Sequence, residues 1–173
     1  MAKARHDYDQ VSAIFASYAD FASLIETLNL RGYREDDISV LMSESTHRQY
    51  FAPQENTKAP EGATVGSLSG GILGALVGGL TAAGSIVIPG AGLVVAGPLI
   101  AALSAGAVGA VTGGLIGALV GAGIPEHEAK FFENALKEQG RILVVAHVPK
   151  AESDEVKSVF ERCNAQRLKV HTC

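Results

Sequence analysis

Between Glu61 and Glu126 the chain contains no Asp, Glu, Lys, Arg or His. This stretch constrains the fold more than any other, because its backbone and apolar side chains must be covered by protein or by lipid. Within it one ten-residue pattern is written twice, as GGILGALVGG at 70–79 and as GGLIGALVGA at 113–122. A water-exposed helix loses about 1 kcal/mol for each Gly that replaces Ala, so small side chains here need a packing reason. Their spacing supplies one. Gly66, Gly70, Gly74 and Gly78 recur every four residues, as do Gly109, Gly113, Gly117 and Gly121. Each row draws a smooth stripe along a helix, and two smooth stripes let backbones approach closely. The pattern predicts helices over roughly 65–83 and 98–123, mated glycine face to glycine face. Leu68, Ile72, Leu76, Leu80, Val111, Leu115 and Leu119 are then turned outward. The join between them, GSIVIPGAGLVVAG, is apolar and reads as a loop buried at the far tip of the hairpin, or as a re-entrant turn in a bilayer.

The flanks have ordinary mixed composition. VSAIFA (11–16) is rich in strand formers, and Phe21, Leu24, Ile25 and Leu28 then recur at helical spacing, with Asp20 as the expected N-cap and Gly32 as the stop. ISVLM (38–42) reads as a second strand. The C-terminal flank repeats the plan. RILVVAHV (141–148) is a strand, SDEVKSVFERCNA a helix with Val156, Val159, Phe160 and Cys163 inward, and RLKVHT a closing strand. Two strand-helix-strand units predict an α+β, ferredoxin-like split βαβ sandwich, its halves at 1–43 and 141–173, into which a glycine-zipper helical hairpin (64–124) is inserted. A polar stretch at 44–63, with Pro53 and Pro60, reads as an irregular linker. Residues 125–140 read as a connecting helix, begun by Pro125, Glu126 and Glu128, faced by Phe131, Phe132, Ala135 and Leu136, and stopped by Gly140.

Composition removes several functional classes. A net charge of −4 with no Lys/Arg cluster argues against nucleic acid. The opening MAKARHDYDQ has no apolar core and does not read as a signal peptide. Cys163 and Cys173 match no redox or metal spacing, which suits a reducing, cytoplasmic setting. His6, His47, His127, His147 and His171 are scattered, and a terminal metal set of Cys163, His171 and Cys173 reads as chance. No nucleophile-base set, carboxylate pair or phosphate loop can be assembled from spacing, so neither enzyme activity, cofactor nor metal is expected.

Three stretches carry a resemblance: VSAIFASYADFASLIETLNLRGYREDDISVLM, IPGAGLVVAGPLIAALSAGAVGAVTGGLIGALVGAGIPEHEA and FFENALKEQGRILVVAHV. In this order they resemble the bacterial general stress protein family of the 17M type over nearly the whole chain. The resemblance implies a bacterial, stress-associated protein and supplies no catalytic residues. Three readings stay open. The hairpin inserts into or assembles at a membrane, with the α+β domain on the cytoplasmic side of the inner membrane. Alternatively, the chain is a soluble cytoplasmic homo-oligomer with buried glycine helices. In a third reading the sheet of the ferredoxin-like domain senses a ligand or a protein.

Overall fold

The computed structural model describes residues 8–34, 36–51, 85–88, 92–98, 114–117, 119–121 and 124–172. In chain order the elements are β1 (Tyr8–Phe15), α1 (Tyr18–Leu30), β2 (Ile38–Ser43), α2 (Glu44–Phe51), β3 (Ser85–Ile88) and β4 (Leu93–Ala96). They continue with α3 (Glu126–Glu138), β5 (Ile142–Pro149), a 3₁₀ turn (Lys150–Glu152), α4 (Ser153–Arg162) and β6 (Gln166–Thr172). The strands form one antiparallel sheet in the order β3-β4-β2-β5-β1-β6. The protein is thus α+β, with the strands of both flanks joined in a single sheet.

Local signals set the helix ends. Ser17, in extended conformation, caps α1 by accepting the Ala19 N–H at 3.2 Å, and Asp20 lies in the first turn instead of at the cap. At the other end Gly32 takes φ +93, with its N–H bonded to the Asn29 carbonyl and the Tyr33 N–H to that of Leu28. This left-handed closure suits glycine. In α4 the same closure uses Asn164 at φ 58, and the Asn164 side chain also donates to Asp20.

Both faces of the sheet are buried. Residues on the first face include Val11, Phe15, Ile38, Val40, Val144 and Ala146, and they pack against Phe21, Leu24, Ile25 and Leu28 of α1 and Val156, Val159 and Phe160 of α4. On the second face lie Ile14, Leu41, Leu93, Val95, Leu143 and Val145, covered by Ala129, Phe132, Ala135 and Leu136 of α3. Strand β5 is buried on both sides, which explains its unbroken apolar run ILVVA.

The insert departs from the sequence pattern in three places. GSIVIPGAGLVVAG is no loop. Its β-branched halves SIVI and LVVA pair as β3 and β4, and β4 docks on β2 from Val40↔Ala96 to Ser43↔Leu93. Short β-branched runs favour pairing once an open strand edge is available, and β2 supplies one. Second, the stretch after β2 is helical at 44–51. Ser43 accepts the Thr46 N–H at 3.1 Å as its cap, Thr46 donates to the Gly140 carbonyl, and Tyr50 stacks on Tyr18. Pro53 and Pro60 lie beyond this helix, so they do not forbid it.

Third, Leu115 and Leu119 point inward. Both are buried against the second face, together with Ile124, while Val120 is 42% exposed and Gly114 and Gly121 are exposed. The sheet face needed cover and the large aliphatics supply it, at about 1.5–3 kcal/mol for each fully buried Leu. Gly66, Gly70, Gly74, Gly78, Gly109 and Gly113, with Leu68, Ile72, Leu76, Leu80 and Val111, lie outside the described residues, as does most of both helices expected over 65–83 and 98–123.

The insert is fastened where β4 ends. Gly97 has φ +90, and a Cβ there would stand 2.1 Å from the Ile38 carbonyl oxygen and 2.8 Å from Ser39 Cα, both backbone atoms. Gly92, at φ +64, has open space around it. Gly97→Ala is therefore expected to cost about 2 kcal/mol or more in urea unfolding, and Gly92→Ala about 1 kcal/mol from backbone conformation alone. Equal losses would show that β4 does not lie this close to β2.

Candidate functional site

The sheet ends at β6, and this edge carries the most concentrated chemistry among the described residues. In an antiparallel pair, directly opposed residues share a face. Val145 belongs to the second face, so its partner Ser12, and Lys169 opposite Ser12, lie on that face too. One row further along stand His147, Gln10 and His171. The second face is thus apolar under the C-terminal part of α3 and polar toward the N-terminal part.

Between Ser12 and Ile14 the β1–β6 register shifts, and Arg167 sits in the bulge at φ 53. An arginine in the left-handed region is uncommon, and bulges on edge strands redirect side chains. Here the guanidinium carbon lies 4.2 Å from the centre of the Phe131 ring on α3. The guanidinium makes no hydrogen bond or ion pair among the described residues.

Glu128, in the first turn of α3, is the meeting point. His171 Nε2 approaches its Oε2 to 3.0 Å, Lys169 Nζ its Oε1 to 3.9 Å, and His127 Nε2 its Oε1 to 3.8 Å. Although the His171 contact is short, neither Glu128 Oε2 nor His171 Nε2 has a well-directed hydrogen bond. The buried hydroxyl of Ser12 and Nδ1 of His147 also lack one. Buried polar atoms are nearly always paired, so the Ser12 hydroxyl, which no described residue meets, stands out. His127, Glu128, Phe131, Phe132, Arg167 and Lys169 line a cleft of about 250 Å³ over this edge.

Burial lowers the pKa of His147, with partial opposition from the Asp37 backbone and charge. His47 shifts the same way, again by burial and against Glu44. On the opposite side of the molecule Tyr33 donates its hydroxyl to Glu152. Its pKa is raised, first by burial and then by that carboxylate.

Spacing did not reveal this cluster. His127 and Glu128 are adjacent, but His171 is far from them in sequence and meets Glu128 only because α3 lies over β6. The one local signal was alternation in RLKVHT, which places Arg167, Lys169 and His171 on one side of a strand before the bulge intervenes. Cys163 and His171 are not brought together, since Cys163 packs with the first-face core. Among the described residues no three His, Cys, Asp or Glu side chains are arranged to hold a metal. None of the described helices is long and apolar enough to cross a membrane. Of the expected zipper positions, Gly121 lies in open space and Gly117 is half-buried.

Comparisons with protein-family models, with curated proteins and with solved structures gave no match.

The depressed pKa of His147 fixes a pH dependence. Below the ordinary value of 6.5 the unfolded chain takes up a proton that the folded protein resists, so stability is full above that pH and falls as the pH drops toward the lowered folded value. Urea unfolding between pH 7.5 and 5 is expected to show this loss, and His147→Gln to remove the part due to His147, leaving the contribution of His47. An unchanged slope in the variant would mean that His147 titrates alike in both states.

Proposed function

We propose that the chain is a non-enzymatic, general-stress-associated bacterial protein whose α+β domain serves as a base for its uncharged glycine-rich segment. That segment drives self-assembly, association with membrane lipid, or both, on the cytoplasmic side of the inner membrane. The strands of the two flanks run in the order β6-β1-β5-β2, antiparallel throughout, with α1 and α4 on one face. This supports the ferredoxin-like reading of the base, to which β4 and β3 are added beyond β2.

One observation carries the associative reading. Along 114–121 the leucines are directed into the domain, while Gly121 faces open space and Val120 is exposed, within a stretch devoid of charge. A small-residue surface of this kind admits close approach of another helix backbone. Residues 62–125 offer a second such stretch in the same chain and more in every further copy. No specific protein partner, cofactor or nucleic acid is invoked.

Detergent-free light scattering and vesicle flotation test this reading. The wild type is expected to scatter as a species larger than its 17.9 kDa monomer, to float with vesicles, or both. Gly121→Leu adds a side chain in open space, so it should keep the fold by circular dichroism and lose association. Leu119→Ala should instead destabilise the domain by about 2–5 kcal/mol, because Leu119 is fully buried. A monodisperse monomer that stays out of the vesicle fraction would overturn the proposal, as would association unchanged by Gly121→Leu.

A further inference from the structure

We infer that the cleft between α3 and β6 is a binding site for a small amphipathic monocarboxylate, a compact apolar or aromatic body carrying one carboxylate. The inference stands apart from the assembly reading, since it uses the opposite edge of the sheet from β3 and β4.

The shape comes first. The cleft holds about 250 Å³, just below the roughly 300–1,000 Å³ of ordinary ligand pockets, which limits its occupant to a small molecule. Phe131 and Phe132 give it an apolar wall. Over that wall the bulge at Arg167 holds a guanidinium with five donors, none engaged by a described residue. Stacking against an aromatic ring restrains such a group without consuming its hydrogen bonds, and its planar fork matches a carboxylate.

Charge then narrows the class. Arg167 and Lys169 bring two cations to the cleft and Glu128 one carboxylate, so among these three side chains one positive charge is left uncompensated. Lys169 reaches Glu128 only at 3.9 Å, beyond hydrogen-bond distance, and its donors remain available for an incoming oxygen. A monoanion balances this set, whereas a dianion such as phosphate would exceed it and bring no apolar body to the phenyl rings.

The interior behind the cleft points the same way. Ser12 is wholly buried, on the same sheet face as Lys169 and directly opposite it, and its hydroxyl has no hydrogen-bond partner among the described residues. Toward the same edge Glu128 Oε2 and His171 Nε2 stand 3.0 Å apart. A fold that only needed to close its sheet edge would have placed an apolar side chain at Ser12, whose hydroxyl no described residue meets. That hydroxyl can both donate to and accept from a polar group that enters behind the cleft lining.

Ligand-observed saturation-transfer NMR on the full chain is the test, because it works on assemblies and monomers alike. Benzoate is the probe, benzamide its neutral isostere and inorganic phosphate the anion without an apolar body. Benzoate is expected to bind saturably with Kd on the order of 1 mM, reasonable for so small a ligand. Benzamide should bind about tenfold more weakly or not at all, and equimolar phosphate should not displace benzoate. Arg167→Gln and Lys169→Gln should each weaken benzoate by about tenfold, the loss of one charge-assisted hydrogen bond. Lys130→Gln, which alters an exposed cation paired with Glu126 outside the cleft, should leave binding unchanged. Thermal melts of the variants separate loss of a ligand contact from loss of the α3–β6 contact, since a purely structural role for Arg167 would lower the melting temperature without changing the benzoate-to-benzamide ratio. No saturation transfer to benzoate, equal binding of benzoate and benzamide, displacement by phosphate, or benzoate affinity unchanged in both cleft variants would each overturn the inference.

Discussion

Strand β5 needs apolar cover on two sides at once, and most of the architecture follows from that demand. Val144 and Ala146 look toward α1 and α4, Leu143 and Val145 toward α3, and all four are at most 1% exposed. The two flanking units can supply only the first layer. The second must come from the region between them, and it does so through α3 and through Leu115 and Leu119. The insert is consequently part of the folded core, and the domain without it would leave half of its sheet wet.

This division of labour explains why periodicity was a good guide to the flanks and a poor one to the middle. Phe21, Leu24, Ile25 and Leu28 face one neighbour, the sheet, and their spacing states it without ambiguity. Val156, Val159 and Phe160 do likewise, and Ile38 to Met42 form a strand as their composition suggests. In the middle, glycine spacing reports where a helix is smooth but not which side meets which neighbour. Leu115 and Leu119 could satisfy a sheet, a lipid tail or another helix equally well, and only the uncovered second face decides between them. SIVI and LVVA had the same ambiguity, being apolar enough for a buried loop and branched enough for strands. Pairing with the open edge of β2 resolved it.

The cluster around Glu128 was hidden for a different reason. Its members come from β1, α3, β5 and β6, so no short window of sequence contains the whole set. What the sequence does contain is an edge strand rich in cations, and cations on an edge strand are ordinarily protection against unwanted pairing. The bulge at Arg167 changes that reading, because it turns one of those cations over the helix at the mouth of the cleft.

The order of the strands also has a consequence for synthesis at the ribosome. β1 and β2 emerge early, yet they never pair with each other, since β5 lies between them. Until residue 149 has left the exit tunnel β1 has neither of its partners, β5 and β6, and β2 can pair only with β4. Contacts this distant in sequence form slowly, and waiting chains with bare apolar surface attract one another. A nascent chain of this design therefore carries its long uncharged stretch outside the ribosome before the central strand of its sheet is available.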